Sequence, residues 1–258
     1  NFVSIPTNGL LPEMIRTRVR SVLEIADGRT VNISFSLDGL RDVHDELRGV
    51  PGNFDKLLES YRLLRDLQSE YENLSLRVNS VLMNRTIDSV KHLIDEFAVL
   101  FPEINTPALT LLRGSPYDKT LELPDRSRLK EVHNHKRAKN PGKQPLIWRA
   151  ADWATFNASL EILRQDTQVV PCEAGRLLGV VEANGDVKHC ELLPAVGNLR
   201  KGSFQEIWHS EKAADERKKI VAKECKCTHE CNLFPSMMAH PLKAASTLAR
   251  SSLLRGDD

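Results

Sequence analysis

The sequence predicts an α/β protein, part of a TIM-like (β/α) barrel followed by a small α+β domain rich in cysteine. Three observations point there. Strand-like and helix-like periods alternate through residues 1–114. The strands are polar on one face, whereas the strands of an open, doubly covered parallel sheet would be apolar on both. All five cysteines, Cys172, Cys190, Cys225, Cys227 and Cys231, fall in the last third of the chain.

Val3 to Thr7 opens the chain as a strand. Val31, Ile33, Phe35 and Leu37 alternate with Asn32, Ser34 and Ser36, which marks a second strand with two unlike faces. Phe54, Leu57, Leu58, Tyr61 and Leu64 then recur at helical spacing. Leu74 to Met83 repeats the alternation, setting Leu74, Leu76 and Val78 against Ser75, Arg77 and Asn79. A second helix carries Ile87, Val90, Leu93, Ile94, Phe97 and Phe101, with Thr86 as its expected N-cap, and Leu109 to Leu112 forms a further strand. A barrel reconciles apolar faces under outer helices with a polar face around a ligand. In such barrels chemistry sits at the carboxyl ends of the strands. Those ends are Thr7-Asn8-Gly9, Ser36-Leu37-Asp38-Gly39, Met83-Asn84 and Leu112-Arg113-Gly114. Each tip alone reads more readily as a turn than as a site; four polar tips in a row read as a site.

Composition sets bounds on partners. With 41% hydrophobic and 28% charged residues, the chain is an ordinary globular sequence. Lys+Arg 36 against Asp+Glu 35 supplies no field to attract nucleic acid or an anionic membrane. No apolar run approaches a membrane span and no charged-then-apolar leader opens the chain, so a cytoplasmic location is expected. An odd set of cysteines, three of them crowded together, argues against a disulfide framework. The chain opens Asn1-Phe2-Val3 without Met and reads as a fragment.

The cysteine pattern carries the chemistry. Cys225-Lys226-Cys227-Thr228-His229-Glu230-Cys231 is a C-x-C-x3-C cluster, and Cys172 and Cys190 flank a hairpin turned at Ala183-Asn184-Gly185-Asp186. Soft thiolates converging in this way hold an iron–sulfur cluster or a tetrahedral zinc ion. A helix over Ser203 to Ala222 is expected to deliver the cluster loop. In an extended segment Cys225 and Cys227 would point oppositely, so both turn inward only if the loop is irregular. His229 is expected to be a solvated loop residue, and His189 to support Cys190 or lie exposed. Ser115 to Gln144, with His133 and His135, reads as a solvated surface loop at the junction, able to act as a lid.

Ile5-Pro6-Thr7-Asn8-Gly9 and Ser34-Phe35-Ser36-Leu37-Asp38-Gly39, with His44-Asp45 and Arg48-Gly49 following, resemble strands three and four of the radical S-adenosylmethionine enzymes. Cys172 through Asn184-Gly185-Asp186-Val187 to Cys190, then Val196-Gly197-Asn198-Leu199, Ser203-Phe204-Gln205-Glu206-Ile207-Trp208 and the Cys225–Cys231 cluster, resemble their SPASM/Twitch extension. The resemblance implies a partial radical S-adenosylmethionine barrel over residues 1–114, a junction over 115–168 and an iron–sulfur domain over 169–258. It implies an auxiliary [4Fe-4S] cluster on cysteines drawn from all five. The final C-x3-C pair favours Cys227 and Cys231, leaving Cys225 as a competitor or a spare. Ser36, Asp38, Arg77, Asn79 and Arg113 match the cofactor face. Arg113 suits a carboxylate or an ion pair with Asp38, and His44 and Arg48 are structural.

The family's C-x3-C-x2-C loop and Gly-Gly-Glu segment do not occur in this sequence and would lie upstream of Asn1. The intact parent is then expected to hold S-adenosylmethionine and a second [4Fe-4S] cluster. It would abstract hydrogen from a peptide, sugar or small metabolite through a 5′-deoxyadenosyl radical, with electrons from a flavodoxin or ferredoxin. The fragment alone is expected to be inactive. The alternative is a non-enzymatic zinc-binding scaffold for a protein partner.

Overall fold

The computed structural model describes residues 2–139 and 145–253. Part of the expected junction, residues 140–144, lies outside them. The chain forms two compact units, Asn1–Gln144 and Pro145–Asp258.

The first unit is built on a four-stranded sheet, β1 (Phe2–Thr7), β2 (Thr30–Ser36), β3 (Leu74–Leu82) and β4 (Ala108–Leu111), in the order β1-β2-β3-β4. Every neighbouring pair is parallel. A parallel sheet that advances one strand at a time without reversing is an arc of a β/α barrel; a doubly wound sheet has a switch point. Register places Val31, Ile33 and Phe35 beside Leu74, Leu76 and Val78, and these residues are buried with Phe54, Leu57, Tyr61, Leu64, Leu93 and Phe97 in one core. That face is covered by α1 (Pro12–Ile25), α3 (Asn53–Leu67) and α4 (Val90–Leu100). Ser34 and Ser36 pair with Arg77 and Asn79 on the opposite face, as the alternation predicts.

Gly9 ends β1 by packing. Its φ is +72°, and a Cβ there would stand 2.7 Å from the Leu57 Cα, while its carbonyl accepts a 2.7 Å hydrogen bond from the Ser60 hydroxyl. The first strand tip is therefore seated on α3.

Two sequence expectations in this unit need correction. Thr86 does not cap α4, whose N-cap is Ser89. The Thr86 hydroxyl instead accepts from Met83 N–H at 3.0 Å and donates to the Val81 carbonyl at 2.9 Å, folding the turn after β3. Nor are the described residues 115–139 a solvated loop throughout, because Arg126–Lys139 forms α5 with Leu129, Val132, His133 and Lys136 buried. Its sequence is too basic to show an apolar period, and its polar side chains pair with α4 and with the turn that precedes α4. These include His135 to Asp95 at 2.9 Å, Arg128 to Asp88 and Lys91 to Glu131.

In the second unit, α6 (Leu146–Gln165) is followed by a small antiparallel sheet of β5 (Val180–Val181), β6 (Asp186–Lys188) and β7 (Gly197–Asn198). The predicted hairpin turn is present, with Gly185 at φ +91° and its N–H donating to the Glu182 carbonyl at 2.8 Å. The expected single helix over Ser203–Ala222 is two, α7 (Phe204–Trp208) and α8 (Glu211–Val221). Each has its own serine cap. Ser203 and Glu206 form a capping box, and Ser210 accepts from Ala213 N–H, restarting the helix after one break. Then come α9 (Glu230–Ala239) and α10 (Pro241–Leu253). Leu233 and Met237 of α9 and Ala244 of α10 pack with Ala158 and Ile162 of α6. Among the described residues no helix is long and apolar enough to cross a membrane.

The loop after β2 is tied by a buried polar network. Asp38 accepts from Val81 N–H at 2.9 Å and pairs with Arg48 at 2.7 Å, and its own N–H donates to His44 Nδ1 at 3.2 Å. His44 belongs to α2 (Arg41–Arg48) and is fully buried. Burial, reinforced by the Arg48 charge, lowers its pKa to about 4. Between the unfolded value near 6.5 and this folded value, the unfolded chain binds a proton that the folded chain refuses. Stability present above pH 6.5 is lost as pH falls through that window. The urea midpoint of the first unit is expected to drop between pH 7 and pH 4.5, and His44→Gln to flatten that drop; equal slopes would place the acid sensitivity elsewhere.

Candidate metal centre

Four of the five cysteines line one cavity of about 40 Å³ in the second unit: Cys172, Cys190, Cys225 and Cys227. They arrive from three stretches of chain. Cys172 precedes the short bridge between Ala174 and Leu178, and Cys190 follows β6. Cys225 and Cys227 sit in the loop between α8 and α9, which has no regular structure. The irregular loop is what allows both to face the cavity. Apolar side chains, among them Ala174, Leu193, Ile220 and Leu233, complete the wall. All five cysteines are thiols outside any disulfide. Among the described residues no three His, Cys, Asp or Glu side chains form a group able to hold a single metal ion.

A hydrogen-bond donor faces each of the four sulfurs. Asn232 Nδ2 donates to Cys190 Sγ at 3.3 Å, and Gln168 Nε2 lies 3.7 Å from Cys225 Sγ. The backbone N–H groups of Ala174 and His229 serve Cys172 and Cys227, and Ser236 adds its hydroxyl at Cys172. Such donors are matched to thiolates, which are much stronger acceptors than thiols. Without a cation the thiolates are nonetheless disfavoured. Burial raises the pKa of Cys172 and of Cys225, and pushes Cys227 up to about 11, with repulsion among the sulfurs adding to it. Cavity sulfurs provided with donors, three of them (Cys172, Cys225 and Cys227) costly to ionise alone, are suited to a positively charged iron core, and the residues present fit a cluster in this way.

Helix α9 supplies much of this support. Asn232, Ser236 and His240 recur every four residues and so share one face. Ser236 accepts from Glu173 N–H at 2.9 Å, and His240 contacts the buried Glu173 carboxylate at 2.6 Å. That carboxylate also pairs with Arg176 at 3.3 Å. Gln168 clamps the other side, donating to the carbonyls of Ile220 and Cys225 at 3.0 and 2.9 Å. None of these supports was anticipated; the signal available was the i, i+4 spacing of the polar residues beside Leu233 and Met237.

The histidine expectations change. His229 is fully buried, not solvated; it stands at the N-cap of α9 with Nε2 3.1 Å from the Glu191 carboxylate. His189 is also buried, edge-on to Trp208 and 3.3 Å from Arg217. Cys231 lies in the first turn of α9 with an exposed side chain and is not part of the cavity lining.

The cofactor-face residues of the first unit divide. Ser36 and Asn79 are cross-strand neighbours, Asn79 reaching Thr110 at 3.4 Å, and Arg77 is exposed on the same face. Asp38 is buried in the bracing network, and its ion-pair partner is Arg48 instead of Arg113. Arg113 is exposed just beyond β4.

Residues 162–232 match the family model of SPASM, an iron-sulfur cluster-binding domain. The matched stretch contains all five cysteines. No curated protein matches in sequence. Among solved structures, native anSMEcpe with bound AdoMet matches at a TM-score of 0.54 and 14% identity, over 99% of this chain and 75% of that one. The same protein with bound AdoMet and Cp18Cys peptide matches at 0.52 and 14%, over 98% and 76%. With AdoMet and Kp18Cys peptide it matches at 0.52 and 14%, over 84% and 60%. At this identity the likeness establishes the fold. The resemblance to radical S-adenosylmethionine enzymes with a SPASM extension thus rests on that fold together with the matched segment.

In the metal-free chain, a Cys227 pKa of about 11 against an ordinary 9.0 leaves about a hundredfold fewer thiolates at pH 8. Alkylation followed by peptide mass spectrometry is expected to label Cys227 at least about tenfold more slowly than exposed Cys231. Equal rates would mean that the cavity does not shield its sulfurs.

Proposed function

We propose that this chain is part of a radical S-adenosylmethionine enzyme whose second unit holds an auxiliary [4Fe-4S] cluster on Cys172, Cys190, Cys225 and Cys227. The observation that carries the reading is the pairing of each cavity sulfur with a donor. A structural zinc knot needs only four thiolates converging on one ion, whereas these line a shared cavity. When bound, such a cluster supplies a one-electron relay or an open iron position for a substrate group. The chain's own part is to hold the sulfurs. Gln168 fixes the Cys225 backbone, α9 presents Asn232 and Ser236, and apolar side chains such as Leu193, Ile220 and Leu233 fill the rest of the wall.

On the first unit, Ser36, Arg77 and Asn79 form the polar face assigned to S-adenosylmethionine. The Arg77 guanidinium suits the cofactor's carboxylate through charge-assisted hydrogen bonds. Asp38 serves that face by fixing the β2 tip, and Arg113 flanks it. In the whole enzyme the cofactor supplies the radical that abstracts hydrogen from substrate. This sequence contains no C-x3-C-x2-C loop, so the 258-residue chain alone is assigned no such turnover. Two of the similar solved structures hold a peptide beside AdoMet, which favours a peptide over a sugar as substrate. A flavodoxin or ferredoxin is the fitting electron donor, and the cytoplasm, where thiols stay reduced, the fitting location.

Anaerobic reconstitution of the chain is expected to give iron and sulfide in equal amounts, with a broad visible absorption. Cys172→Ala, Cys190→Ala, Cys225→Ala and Cys227→Ala should each remove most of it, and Cys231→Ala should retain it. Zinc bound without sulfide, and kept through aerobic purification, would favour the scaffold reading instead.

A further inference from the structure

We infer that Asn232 sets the reduction potential of the cluster by donating a hydrogen bond to one of its thiolates, while Gln168 acts as the clamp that holds a second ligand in place. The inference rests on the cluster reading above and assigns separate roles to two residues of the same cavity.

The geometry separates the two amides. Asn232 Nδ2 lies 3.3 Å from Cys190 Sγ, within range for a hydrogen bond to sulfur. The residue is buried on α9, next in sequence to Leu233, which packs with Met237 against α6. Gln168 Nε2 is farther from sulfur, 3.7 Å from Cys225 Sγ, and its closer partners are the carbonyls of Ile220 and Cys225 at 3.0 and 2.9 Å. Those carbonyls close the end of α8 and the loop that carries Cys225 and Cys227. Lys223, at φ +61° in the same turn, donates to the Gln168 carbonyl at 3.2 Å. Gln168 is thus tied into the backbone of the loop, and Asn232 is aimed at a sulfur.

The physical consequence follows from charge. Reduction adds one electron to the cluster from an external reductant, with no bond to the protein made or broken. The extra negative charge spreads onto the thiolate sulfurs. A donor pointing at such a sulfur stabilises the reduced state more than the oxidised one and raises the potential. Beside the apolar side chains of the cavity wall the effect is less screened than in bulk water. Removing the amide while keeping its volume therefore lowers the potential. Replacing it with a carboxylate lowers it further, because a negative charge then faces the sulfur. Removing Gln168 frees the loop and lowers the amount of cluster held.

The test uses the whole chain, reconstituted anaerobically, with iron, sulfide and a dithionite titration followed by absorption and electron paramagnetic resonance. Asn232→Leu is expected to keep wild-type iron and sulfide and to shift the midpoint to lower potential, with Asn232→Asp lower still. Gln168→Ala is expected to hold at least about twofold less cluster than wild type. If Asn232→Leu and Asn232→Asp both keep the cluster at an unchanged midpoint, the tuning role is overturned. If both instead lose the cluster, Asn232 is an assembly residue and the inference is equally overturned. Full cluster content in Gln168→Ala would overturn the clamp. A wild-type chain that takes up no iron and sulfide would instead sink the cluster reading itself.

Discussion

Ionising a sulfur shielded from water carries a desolvation cost, felt at Cys172, Cys225 and Cys227, and the second unit gathers these half-buried sulfurs with the buried Cys190 around one small cavity. Burial pushes Cys227 up to about 11 and raises Cys172 and Cys225 in the same direction. A hydrophobic cavity lined by neutral thiols would have no use for hydrogen bonds aimed at sulfur, yet donors from Asn232, Gln168 and two backbone amides are all present. The two facts are reconciled by a cationic core that lets the sulfurs carry charge without water. The placement of α9 and the irregular loop between α8 and α9 are both used in bringing four sulfurs to one cavity.

The first unit meets a related constraint with different materials. Its sheet buries one face under helices and leaves Ser34, Ser36, Arg77 and Asn79 on the other. Polar side chains on a parallel sheet are tolerated where that face lines a site. The strand tips are held rigid by contacts that use up their own polar groups. Gly9 packs on Leu57, and Asp38 is consumed by Val81, Arg48 and His44. A tip residue that looks like a ligand in sequence can thus serve by holding its neighbours still.

Much of this was legible from residue patterns. The strands came from strict alternation, as at Val31–Leu37, and the helices over Phe54–Leu64 and Val90–Phe97 from apolar spacing, because one face of each is buried in a single core. The cysteine spacing pointed to a metal or cluster site before any geometry was known. Helix α5 escaped detection because Arg, Lys and His dominate it and its stability rests on pairs to residues some forty positions earlier, such as His135 with Asp95. The supports around the sulfurs escaped for a similar reason. Gln168 meets Cys225 across 57 positions and Asn232 meets Cys190 across 42. Buried His229 looked solvated because its polar neighbours in sequence said nothing of the cover that folding provides.

The central claim, that four sulfurs surround a multi-iron core and not a single ion, is tested most directly by iron K-edge X-ray absorption on the anaerobically reconstituted chain. The account predicts a sulfur shell around iron together with an iron–iron shell, both lost in Cys227→Ala. Iron lacking any iron–iron shell, or zinc ringed by sulfur in its place, would contradict it.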